Sequence, residues 1–209
     1  MNEKKSLVFT VIAVATFATA IVGATFAYFT AQAGAGASSN VNITTKTTDS
    51  LTFNAGAAIN IAATQANFGS GVGNLEGSTT AKASLRANNG NNSASYTYNL
   101  YLDIASNNFA YTVNGNTPEL LLTITNPSNQ PLTTVTGLTY KTVGSISGFD
   151  ITNKTGKILL VSDYNIASTT ALTEQTWTVK VTFINLSSDQ QGNTNKTFNS
   201  TLKIQKDKY

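Results

Sequence analysis

Chemistry in this chain would have to come from carboxylates, hydroxyls, amides and lysines, because its 209 residues include no Cys and no His. Zinc sites built on imidazole or thiolate are thereby excluded. So are Ser-His-Asp triads and Cys-His pairs. The carboxylates of the body are scattered: Asp49, Glu76, Asp103, Glu119, Asp150, Asp163, Glu174, Asp189 and Asp207. No two are close enough in sequence to propose the paired acid and base of a glycosidase. Asp189-Gln190-Gln191-Gly192-Asn193-Thr194-Asn195 gathers oxygen ligands around a Gly but lacks the spacing and terminal Glu of a calcium loop, so it reads as a polar hairpin loop. Gly69-Ser70-Gly71-Val72-Gly73 has no following Gly-Lys-Ser/Thr and reads as a flexible loop rather than a phosphate cradle.

Two further groups carry binding chemistry. Tyr96, Tyr98 and Tyr101, with Phe109 and Tyr111, have the composition of a stacking platform for sugars or bases. Tyr96 and Tyr98 fall on an inward parity, which leaves Tyr101 as the one expected outside. Asn42, Asn91, Asn153, Asn185, Asn195 and Asn199 each begin an N-x-Ser/Thr triplet, a glycan acceptor only in a host that glycosylates exported proteins. The expectation is a protein with no catalytic residues, no cofactor and no metal.

The elements that must position these residues are strands. Trp177, Val179, Val181 and Phe183 alternate with Thr178, Lys180 and Thr182, the period of a half-buried strand. Tyr96, Tyr98, Leu100, Leu102 and Ile104 alternate with Thr97, Asn99, Tyr101 and Asp103. Leu120, Leu122 and Ile124 share a parity, as do Phe198, Leu202 and Ile204 with Ser200 between them. Ile158 to Val161 is an apolar run suited to a strand covered on both faces, and Leu51 and Phe53 predict a strand near residue 50. Ile59 to Phe68 is the one body segment with room for a short helix. Asn88 to Asn92, Asn114-Gly115-Asn116, Asn126 to Asn129 and Gln191-Gly192-Asn193 supply turn residues. Many short alternating strands with Asn/Gly turns predict an all-β fold, an antiparallel β-sandwich.

Ahead of this body, Lys4 and Lys5 precede an uncharged apolar run from Leu7 to Phe29. A charged start, an apolar core and small residues near its end make an N-terminal apolar signal helix, which sends the body outside the membrane. Thr25-Phe26-Ala27 offers a cleavage site between Ala27 and Tyr28, and Ala31-Gln32-Ala33 offers a second. The run is also long enough, at roughly 20 residues, to stay as an anchor. The division is therefore 1–27, signal peptide or anchor helix; 28–50, a flexible arm opened by Ala33-Gly34-Ala35-Gly36-Ala37-Ser38-Ser39; and 51–209, the sandwich. Membrane contact is expected only through the signal helix.

Lys plus Arg is 13 and Asp plus Glu is 10; removing Glu3, Lys4 and Lys5 with the signal leaves 11 and 9, a net charge of +2. That is too weak for a nucleic-acid surface. Charged residues are 11% of the chain, against roughly 25% in ordinary domains, so repulsion between copies is weak and self-association is less opposed.

Ala24-Thr25-Phe26-Ala27-Tyr28-Phe29-Thr30 resembles the end of the signal peptide in TasA and camelysin-type proteins, exported through a signal peptidase of the SipW type. Ala31 and Gln32 stand where that family has an acidic residue. The resemblance covers about the first thirty residues. It implies a jelly-roll-like sandwich, secretion, and assembly into fibres of a biofilm matrix in which an N-terminal segment of one subunit completes the sheet of the next. Independently of that family, the arm offers Val41, Asn42, Ile43 and Thr44 as a short alternating strand able to pair with a sheet edge, a donor strand for a homo-oligomeric filament. The same segment equally suits the first strand of its own domain. The competing reading is a membrane-anchored surface module that binds glycans through an exposed aromatic groove around Tyr101 or Tyr111.

Overall fold

The computed structural model describes residues 49–87, 93–169 and 171–206. The apolar N-terminal segment, the cleavage positions Ala27 and Tyr28, the donor strand Val41, Asn42, Ile43 and Thr44, and the Asn88 to Asn92 turn lie outside these residues.

Among the described residues there are ten strands: β1 (Ser50–Ala55), β2 (Ile59–Ala62), β3 (Leu75–Arg86), β4 (Ala94–Asn107), β5 (Leu120–Thr125), β6 (Tyr140–Val143), β7 (Ile146–Asp150), β8 (Gly156–Ser168), β9 (Thr173–Phe183) and β10 (Thr197–Gln205). They make a six-stranded sheet, ordered β1-β3-β9-β5-β7-β6, and a four-stranded sheet, ordered β2-β10-β4-β8. Every strand pairing is antiparallel. The fold is an all-β sandwich.

Strand periodicity built the core as expected. Trp177, Val179, Val181 and Phe183 on β9, Leu120, Leu122 and Ile124 on β5, Leu100, Leu102 and Ile104 on β4, and Phe198, Leu202 and Ile204 on β10 are all buried in one cluster. Each such side chain contributes roughly 1.5–3 kcal/mol by leaving water. The two sheets close tightly at β3, whose inward positions Gly77, Thr79, Ala81 and Ala83 are small. A Cβ on Gly77 would lie 2.7 Å from Ile59 Cγ2, so only glycine lets β2 pack there.

Polar atoms also enter this core. Trp177 Nε1 donates to the Tyr98 hydroxyl at 2.8 Å, which donates to Gln175 Oε1 at 2.8 Å. Burial pushes the Tyr98 phenol well above its ordinary value. Tyr98→Phe is expected to cost about 1–3 kcal/mol, because it leaves the buried indole N–H without an acceptor. A denaturation midpoint equal to that of the parent would show that the indole finds another partner. By contrast, Thr79 Oγ1 and Ser200 Oγ are buried without hydrogen-bond partners. Thr79→Val is expected to raise stability by about 1 kcal/mol by removing that uncompensated hydroxyl. A lower melting temperature for Thr79→Val would mean that the hydroxyl has an unseen partner.

Three expectations fail. Ile59 to Phe68 is not a helix: Ile59 and Ile61 are buried at a spacing of two on β2, and helical geometry is confined to one 3-10 turn at Gln65–Asn67. Pairing with β10 overrode local preference. Thr182 is buried rather than exposed, because it stands between Glu76 and Leu121 in the middle of the larger sheet. Ile158 to Val161 is not covered equally on both faces: Leu160 is buried and its neighbours are half-buried, since β8 is an edge of its sheet.

Candidate functional site

Where the loops at one end of the sandwich converge, a single carboxylate holds them. Glu119, at the foot of β5, is completely buried. Its Oε1 accepts from the Thr112 backbone N–H at 2.5 Å and the Thr112 hydroxyl at 2.6 Å. Its Oε2 accepts from Gln190 Nε2 at 2.6 Å and Asn193 Nδ2 at 2.8 Å. No lysine or arginine takes part in these contacts; neutral dipoles supply the stabilisation, shared among four hydrogen bonds.

The partners are themselves fixed. Gln190 Oε1 accepts from Leu186 N–H, and Gln190 Nε2 also reaches the Ile184 carbonyl. Asn193 pairs with the Ala110 backbone through both halves of its carboxamide. Thr152 Oγ1 accepts from the backbone N–H groups of Glu119 and Leu120 and donates to Asp150 Oδ1. Asn107 Nδ2 donates to the carbonyls of Ile151, Thr152 and Lys154. Asn185 ties the Gly69 to Val72 loop to the same end through Gly69 N–H and the carbonyls of Gly69 and Val72. The loops after β2, β4, β7 and β9 therefore share one polar network.

This network corrects the hairpin-loop reading of Asp189 to Asn195. Gln190 and Asn193 are fully buried, and Gln191–Asn193 forms a 3-10 turn that aims their carboxamides inward. The network engages Glu119 from the protein side with donors, so the carboxylate serves as an anchor for loops. Among the described residues no cluster of three or more His, Cys, Asp or Glu could hold a metal ion.

The aromatic platform is not assembled. Tyr101 is 6% exposed: it keeps the outward parity expected of it but not the solvent exposure. It lies on the outer face of the smaller sheet, flanked across the ladder by half-buried Leu159 and Lys203, next to register irregularities on both sides of Leu100. Tyr98 belongs to the core, in contact with Phe53 and Tyr164. Phe109 packs on Phe183. Tyr111 is half-buried and donates to Asp150 Oδ2 at 2.9 Å, so burial and that carboxylate raise its phenol to about 12. Tyr96 is held at the opposite end: its hydroxyl donates to Asp49 at 2.9 Å, which raises its phenol, and Lys206 Nζ lies 5.6 Å from its ring centre. Chain entry at Asp49 and exit at Lys206 thus meet at one end, away from the Glu119 network.

Of the N-x-Ser/Thr asparagines, Asn185 and Asn199 have their carboxamides engaged, the latter with Asn60, while Asn153 and Asn195 are exposed; Asn42 and Asn91 lie outside the described residues. Sequence reasoning placed Glu119 among scattered carboxylates and Gln190 and Asn193 in a polar loop, and did not bring them together. The available signal was a carboxylate abutting the apolar run Leu120-Leu121-Leu122, a position where charge persists only with partners. No protein-family model, no curated protein and no solved structure matches this chain.

Proposed function

We propose that this protein is a secreted structural subunit that self-assembles into extracellular fibres or matrix, with the N-terminal arm as donor strand. The observation that carries this reading is the position of β1. It follows the arm directly, and among the described residues it pairs on one side only, with β3. Its sequence Ser50-Leu51-Thr52-Phe53-Asn54-Ala55 has no charge, no Pro and an unbroken register. It therefore lacks the charges, prolines and bulges by which edge strands normally resist pairing. The other long edge, β8, carries Lys157 and Asp163, with Asp163 in a left-handed conformation that kinks it.

The sandwich is read further as jelly-roll-like. With β5, β6 and β7 set aside as an insertion, the chain passes between the sheets in jelly-roll order and supplies seven strands of that pattern's roughly eight. The outer side of β1 is the place of the eighth. A strand from another copy added there joins copies head to tail, a contact that does not close on itself and so propagates. The sparse charge of the chain offers little opposition.

Electron microscopy of the secreted protein tests the reading directly. N-terminal sequencing is expected to begin at Tyr28, and filaments are expected from that species. Protein lacking residues 28–48 is expected to fold with a cooperative transition but to remain monomeric. Filaments of normal appearance from the truncated protein would remove the arm from the assembly. A full-length protein that stays monomeric at high concentration would remove the fibre reading itself.

A further inference from the structure

The loop between β4 and β5, at the Glu119 end, carries at its tip the dipeptide Asn114-Gly115, and we propose that it is a site of spontaneous backbone modification, the conversion of Asn114 to aspartate and isoaspartate. The inference is independent of the fibre reading. In the reaction, the Gly115 backbone nitrogen attacks Asn114 Cγ. A bond forms between them, the Cγ–Nδ2 bond breaks, and the Gly115 amide proton leaves with Nδ2 as ammonia. Water then opens the cyclic imide at either carbonyl, giving aspartate or, by the other opening, an isoaspartyl link. The only co-reactant is water.

Several features of the fold favour this residue. Asn114, Gly115 and Asn116 are all exposed. Asn114 and Gly115 both have positive φ, 52° and 67°, and no atom lies within 4 Å of where a Gly115 Cβ would stand. The space beside Gly115 is open, and glycine permits the rotation that brings its nitrogen onto Cγ. The tip's turn is closed by a short-range contact, Asn116 N–H to the Asn114 carbonyl at 2.9 Å. Below it the loop is shut by Thr112 on Glu119. The tip can consequently open without disturbing the sandwich, and loop tips open at almost no free-energy cost. Asn185 and Asn193 differ on each count, since their carboxamides are locked in place and neither precedes a glycine. The sequence has one other Asn-Gly pair, Asn89-Gly90, outside the described residues.

The consequence is a slow change of charge. Each event adds one carboxylate to a chain with only 10 acidic residues and a formal charge of +3.

The test holds the purified full-length protein at mildly alkaline pH, in native buffer and in denaturant, and follows each asparagine by peptide mapping. Asn114 is expected to convert at rates of the same order in both, while Asn185 and Asn193 stay amidated in the native sample. Asn114→Gln is expected to remove the native conversion at this position and the acidic band it produces in isoelectric focusing. The melting temperature of the aged protein is expected to match that of fresh protein. Conversion of Asn114 in denaturant but not in native buffer would overturn the proposal, because the fold would then be protecting the tip.

Discussion

Val181→Asp is expected to abolish folding, while Lys180→Asp is expected to leave the protein close to its parent. Val181 is completely buried on β9, between Gly77 of β3 and Leu122 of β5, at the centre of the larger sheet. A carboxylate there meets no donor that the backbone has not already used. Burying it costs several kcal/mol, comparable with the roughly 5–15 kcal/mol that holds a domain together. Lys180 points to the other face, half-buried, with its Nζ 2.9 Å from Glu76 Oε1. Its side chain is 38% exposed and that of Glu76 is 45% exposed, so solvent screens the pair. Losing it and placing Asp beside Glu76 is expected to cost about 1 kcal/mol or less. Circular dichroism melts of both variants decide the matter. Similar melting temperatures would mean that the two faces of β9 have been exchanged.

The second large effect concerns the loop anchor. Glu119→Ala is expected to destabilise the protein by about 3–5 kcal/mol, since several buried neutral donors lose their acceptor at roughly 1–3 kcal/mol each. The buried carboxamides of Gln190 and Asn193 and the backbone N–H of Thr112 lose their acceptor together. At a few degrees per kcal/mol, the melting temperature should fall by roughly 10 °C. Glu119→Gln keeps the shape and one acceptor oxygen but turns an NH2 group against donors, so it is expected to fall between Ala and the parent. Limited proteolysis should then cut the loops around residues 110–118 and 185–195 first, because Glu119 and its partners join them. If both variants melt within about 2 °C of the parent, the four contacts to Glu119 are not what holds that end together.

Much of this protein is legible from residue order. A period of two survives translation into structure because alternate side chains of a strand must face opposite ways, whatever the strand pairs with. That is why Trp177, Leu100, Leu122 and Phe198 could be assigned to the core with no knowledge of their partners. The absence of His and Cys bounded the chemistry in the same partner-independent way. Turn sites at Asn114-Gly115 and Asn129 were legible because positive φ is a local property that few residues tolerate.

What the tertiary structure alone decided are the cases in which burial comes from residues distant in the chain. Tyr101 obeys its outward parity and is nevertheless 6% exposed, and the residues opposite it on the ladder, Leu159 and Lys203, come from strands whose register no local pattern reveals. Ile59 and Ile61 became a strand because β10, more than 130 residues later, was there to pair with them. Glu119, Gln190 and Asn193 are each ordinary polar residues in sequence, and the two amides stand 71 and 74 positions after the carboxylate. A buried carboxylate is tolerable only when donors from separate loops arrive together, and that convergence is a property of how the strands cross between the sheets.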